Sequence, residues 1–102
     1  MKVIEGKSDN FDNLINESET VLVDFNADWC GPCQMLKPTI EEFAEEKDNI
    51  KVISVNVDDE ELLAEKYGVS SIPCLVVFKD GKEVKRSVGL VPKEEIESLV
   101  GE

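Results

Sequence analysis

Two cysteines three residues apart, Cys30 and Cys33, stand in the run Trp29-Cys30-Gly31-Pro32-Cys33, directly after an apolar segment of strand length and directly before a helical pattern. Thiols at i and i+3 of a first helical turn lie on one face, and the Cα separation of that turn falls within the range a disulfide bridges without backbone movement. The pair can therefore close and open locally. A helix N-terminus adds orphan backbone N–H groups and the positive end of the macrodipole, both of which favour a thiolate at Cys30. Pro32 suits the same turn, since its missing N–H would have had no partner there. Two blander uses fit poorly. A structural zinc site needs four ligands, and the chain offers no histidine and one further cysteine, Cys74. A disulfide closing so short a loop constrains the unfolded chain very little, which makes a purely structural bridge weak. Reversible redox chemistry remains.

The elements that must hold these thiols are legible on either side of them. Val21-Leu22-Val23-Asp24-Phe25 is mostly apolar and of strand length, as expected for a strand buried on both faces of a parallel sheet. From Cys33 to about Lys47, Met35, Leu36, Ile40, Phe43 and Ala44 recur at helical spacing, with a kink expected where Pro38 removes a backbone hydrogen bond. Upstream, residues 2 to 5 read as a short strand, and a helix opens at Ser8-Asp9-Asn10-Phe11 with Ser8 or Asp9 as N-cap and closes at residues 17 to 19. Downstream, residues 50 to 57 read as a strand and 58 to 67 as a short helix with Leu62, Leu63 and Tyr67 inward, ended by Gly68. Leu75-Val76-Val77-Phe78, the Asp80-Gly81 turn and residues 83 to 88 form a hairpin signal. Pro92 then starts a last helix, to about Val100, with Ile96 and Leu99 inward. Strands alternating with helices and then a hairpin predict an α/β fold: a mixed sheet with helices on both faces.

At 102 residues the chain has the usual size of one domain, spanning residues 1–102, and no repeat or linker interrupts it. Eleven Lys and Arg against 23 Asp and Glu give a formal charge of −12, which repels phosphate backbones and anionic membrane surfaces. Nucleic acid and membrane are therefore not expected partners. That acidity serves solubility through pairs such as Glu41-Glu42 and Glu45-Glu46, and a preference for basic partner proteins is its sharper alternative. Residues 1 to 6 carry no basic region followed by a long apolar one, so the chain reads as unexported and cytoplasmic. Three cysteines in such a chain argue for a reactive pair rather than a disulfide framework.

A wider set of residues makes a resemblance specific. Val23-Asp24-Phe25, then Ala27-Asp28-Trp29-Cys30-Gly31-Pro32-Cys33, Pro38, Tyr67-Gly68-Val69, Ile72-Pro73, Lys79-Asp80-Gly81 and Val88-Gly89 come in the order and spacing of the thioredoxins, which the chain resembles over nearly its whole length. The resemblance implies the thioredoxin fold, a central mixed sheet of about five strands with four helices on its two faces. It also implies a cytoplasmic protein-disulfide reductase that serves electron transport and cell redox homeostasis. In that reading Cys30 is the nucleophile, Cys33 is the resolving thiol, and the Gly31-Pro32 pair favours the reducing role. Asp24 would be a buried carboxylate beneath the cysteines, its pKa raised by desolvation, taking a proton from Cys33; the alternative is a strand-end position facing water. Ile72-Pro73 would be a cis-proline segment whose backbone pairs with an extended target. Trp29, Ile72, Pro73, Val88 and Gly89 would form the target-binding surface around the disulfide.

The chain departs from that family at three positions. Ser54 falls where many members carry a lysine beside the aspartate, Asn26 replaces a second tryptophan, and Cys74 replaces a threonine after the proline. Cys74 is either a small, half-buried packing residue or an auxiliary redox thiol near Cys30. The resemblance further implies a monomer with no bound cofactor, partnered by oxidised target proteins and by a thioredoxin reductase drawing on NADPH, ferredoxin or another flavin donor. A disulfide isomerase of the same fold and a redox-gated binding subunit are the competing readings.

Overall fold

The computed structural model describes residues 2–101, so Met1 and Glu102, the ends of the expected domain, lie outside the described residues. Five strands and four helices follow in the order β1 (Val3–Glu5), α1 (Phe11–Ile15), β2 (Thr20–Asn26), α2 (Gly31–Glu46), β3 (Ile50–Asn56), α3 (Glu61–Lys66), β4 (Cys74–Lys79), β5 (Lys82–Val88) and α4 (Lys93–Val100). They build one mixed sheet in the order β1-β3-β2-β4-β5, with β3 parallel to both β1 and β2, and with the β2–β4 and β4–β5 pairs antiparallel.

The apolar run of β2 makes sense from its place. It is flanked by β3 and β4, and its side chains alternate between two buried layers. Val21, Val23 and Phe25 pack with Phe11, Leu14 and Ile15 of α1 and Leu63 of α3, whereas Leu22 packs with Leu36, Ile40 and Phe43 of α2 and Ile96 of α4. One strand thus anchors helices on both faces. Alternation also puts Asp24 on the α2 side, in register with Ser54 of β3 and Leu75 of β4. The expected hairpin is present: Asp80 and Gly81 both have positive φ, 53° and 81°, the pattern of a two-residue turn matched to strand twist.

Three local expectations are corrected. The first helix starts at Phe11, and neither Ser8 nor Asp9 caps it; its N-cap position is Asn10, which makes no side-chain cap. The Glu60 carboxylate recruits Ser8 instead, accepting both its N–H and its hydroxyl at 2.8 Å, while Asn10 Oδ1 accepts the Lys7 N–H at 2.7 Å. That first helix also ends at Ile15, short of the expected 17 to 19. In α3 the helix begins at Glu61 rather than Asp58, and the changed phase buries Leu63 and Ala64 and leaves Leu62 76% exposed. Tyr67 does turn inward, its ring 5.4 Å from Phe11 and 5.5 Å from Phe78, centroid to centroid.

Candidate active site

The site forms where β2 ends and α2 begins. Cys30 is the N-cap of α2 with extended backbone (φ −85°, ψ 111°), and its Sγ accepts the backbone N–H of Cys33 at 3.2 Å. Gly31 and Pro32 fill the first two helical positions, and Pro38 lies inside the same helix, which continues to Glu46. The two sulfurs are joined, with the Cα atoms 5.2 Å apart. Exposure does not separate the two cysteines, at 4% and 3%, so the distinction lies in the helix. Cys30 caps it and receives its orphan N–H, whereas Cys33 is a turn inside.

The rim of the disulfide is apolar and open. Trp29 is 72% exposed and Val88 57%, Gly31 and Pro32 are exposed, and Ile72 is half-buried. The Ile72–Pro73 peptide bond is cis. The Ile72 carbonyl stands 3.8 Å from Cys30 Sγ, and the Pro73 carbonyl accepts the Gly89 N–H at 2.8 Å, which draws the end of β5 against the proline loop. The structure thus gathers Trp29, Cys30, Cys33, Ile72, Pro73, Val88 and Gly89 about one disulfide.

On the α2 side of β2, Asp24 is 5% exposed, and its Oδ1 has no hydrogen-bond partner among the described residues. Burial pushes this carboxyl up to about 7, with the Asn26 amide pulling the other way. The alternative placement of Asp24 at a water-facing strand end is thereby excluded. Ser54 is its register neighbour, the place expected from sequence. Cys74 lies in the layer formed by α1 and α3, 1% exposed rather than half-buried, and burial raises its thiol pKa.

One site contact gave little sign of itself in sequence. Asp58 Oδ2 accepts the indole N–H of Trp29 at 2.8 Å and ties that exposed ring to the loop after β3. The same loop is shaped by Asn56, whose Oδ1 accepts the N–H groups of Asp58 at 2.8 Å and Asp59 at 3.2 Å. Asn-x-Asp after a strand is an Asx-turn signal, and it could have located the loop though not its bond to Trp29.

The family model described as "Thioredoxin" matches residues 2–102. The chain belongs to the thioredoxin family. A thioredoxin of Chlamydia caviae is 47% identical over 95 residues, covering 93% of this chain and 92% of that protein. The Bacillus subtilis thioredoxin is 44% identical over 101 residues, covering 98% of this chain and 96% of that protein. Among solved structures, a variant thioredoxin from Halobacterium salinarum NRC-1 superposes with a TM-score of 0.92 at 38% identity, covering 97% of this chain and 88% of that one. The thioredoxin fold expected from sequence, with its five strands and four helices, is the one observed. This thioredoxin-family chain is a thiol-disulfide oxidoreductase, a protein-disulfide reductase whose redox-active disulfide is formed by the Cys30–Cys33 pair. No helix among the described residues is long and apolar enough to cross a membrane.

Proposed function

We propose that Cys30 is the nucleophile of this reductase and Cys33 the thiol that resolves its mixed disulfide. With the pair reduced, the Cys30 thiolate attacks a target disulfide and forms a mixed disulfide as the first target thiolate departs. Cys33 then loses its proton and attacks Cys30, which re-forms the internal disulfide and releases the second target thiolate. Two electrons pass from the dithiol to the target. The observation that carries this order is the Cys33 N–H directed at Cys30 Sγ at the tip of α2, a donor that stabilises negative charge on Cys30.

Asp24 accepts the Cys33 proton in this reading. Its burial supports the role, because a carboxyl poised near neutral pH can take a proton and give it back. The open rim of Trp29, Gly31, Pro32 and Val88 covers the apolar flanks of a target, and the backbone of Ile72, beside Pro73 and Gly89, pairs with an extended segment by strand addition. Backbone pairing is tolerant of sequence, which suits many targets. We place the chain in the cytoplasm as one domain over residues 1–102, acting as a monomer and recharged by a thioredoxin reductase. Cys33→Ser is the test of the cysteine order. It is expected to accumulate mixed disulfides with targets through Cys30, identified by mass spectrometry of the trapped species; trapping through Cys74 in that variant, or no trapping at all, would contradict the assignment. A redox-gated binding subunit would instead hold its partner without covalent trapping.

A further inference from the structure

The buried carboxyl of Asp24 has no charged neighbour across the sheet. Its register partners are Ser54 on β3 and Leu75 on β4. Two residues along β2, Asn26 turns its side chain back over this pair: Nδ2 donates to the Asp24 carbonyl at 2.9 Å and to Ser54 Oγ at 2.9 Å. A hydroxyl that accepts the Asn26 amide still has its own proton to give. Beside it lies a cavity of about 360 Å³ whose wall includes Asn26, Ser54, Gln34, Asn56 and Cys33. Such a space is polar and large enough to hold water. The resolving thiol and the Asn26–Ser54 pair therefore line one pocket, and Ser54 is the register neighbour of Asp24, whose Oδ1 has no hydrogen-bond partner among the described residues.

We propose that Asn26 is a positioning residue for proton transfer during resolution, holding Ser54 so that its hydroxyl orients cavity water between Cys33 and Asp24. The inference rests on the reading of Asp24 as proton acceptor. In the step, the Cys33 S–H gives its proton through water to the Asp24 carboxylate as its sulfur attacks Cys30. The Cys33–Cys30 bond forms, the bond from Cys30 to the target sulfur breaks, and the target leaves as a thiolate carrying the electron pair. The charged groups around the cavity are Glu5 on β1, Asp28 and Asp59 in the loops after β2 and β3, and Lys37 and Glu41 on α2, with Cys74 of β4 coupled to Asp24 from the other layer. None is among the causes of the Asp24 shift; burial raises it and Asn26 opposes.

The test uses the reduced full chain and an aromatic disulfide whose thiolate absorbs visibly. The first thiolate reports attack by Cys30 and the second reports resolution by Cys33, followed by stopped flow from about pH 5.5 to about 9 around the reference range of the groups concerned. Asn26→Ala is expected to move the midpoint of the second phase upward by about 0.5 pH unit or more, since it removes the donor that opposes burial. Ser54→Ala is expected to move it the same way, and the double variant no further than Asn26→Ala alone, because the two act in one chain of contacts. Should Asn26→Ala fail to fold, Ser54→Ala carries the test. Asp24→Asn is expected to abolish this midpoint. A wild-type midpoint in both Asn26→Ala and Ser54→Ala, whatever their absolute rates, would overturn the inference while leaving Asp24 in place. A wild-type profile in Asp24→Asn would overturn the proton-acceptor reading and the inference with it.

Discussion

Replacing Asp24 by Asn should make the protein more stable, by an amount set by pH. The Asp24 carboxyl rises from 3.8 to about 7 on folding because burial penalises its charged form. Below about pH 4 the group is protonated in both the folded and unfolded chains, and it places no burden on folding. Between about pH 4 and about 7 the unfolded chain has released this proton while the folded chain keeps it, so stability falls as pH rises; above about 7 the loss is complete. A rise of about three units, at about 1.4 kcal/mol per unit, makes that loss on the order of 4 kcal/mol. Asparagine has the shape of the protonated acid and no charge to bury. Urea unfolding of the oxidised protein is the assay. The variant and the parent should share a midpoint near pH 4 and diverge to about 2 M urea at pH 8, for a denaturant slope of about 2 kcal/mol per molar. A difference in stability that is the same at both pH values would show instead that the carboxyl does not titrate differently in the folded chain.

Two further outcomes follow from burial. Leu62→Ser should change stability by less than about 0.5 kcal/mol, whereas Leu63→Ala should cost roughly 2 kcal/mol or more; paired denaturation curves check the phase of α3, and a large effect at Leu62 would contradict it. Cys74→Ser should leave peroxide sensitivity unchanged, because a buried thiol with a raised pKa presents little thiolate to an oxidant. Mass spectrometry after graded peroxide exposure reads this directly, and protection by the substitution would make Cys74 a redox thiol after all.

The sequence carried the site's chemistry because that chemistry is local. Cys30, Gly31, Pro32 and Cys33 lie in one helical turn, so spacing alone brings the sulfurs together, and the apolar run of β2 announces a strand covered on both faces. The hairpin was equally legible, since Asp80-Gly81 supplies the backbone its turn demands. What spacing could not reveal are the contacts made across the chain. Ser8 looks like a helix cap and is drawn away by Glu60, 52 residues distant. Leu62 has the right residue type for a core position, yet it points outward from α3, which begins at Glu61, after the turn made by Asn56, rather than at Asp58. The Trp29–Asp58 bond likewise joins two loops that neighbour each other only once β2 and β3 pair. Asn26 shows both sides: its type at that position stood out in sequence, and its partners did not.

The equilibrium of the Cys30–Cys33 pair against a graded dithiol buffer decides whether this disulfide is a reductant's. Trp29 is the chain's only tryptophan and stands beside Cys30, so its fluorescence reports the state of this disulfide alone. A potential below that of the glutathione pool is expected, with turnover of insulin disulfides by the same sample. A potential above the pool, or a readily reduced pair that leaves insulin disulfides intact, would contradict the reductase assignment.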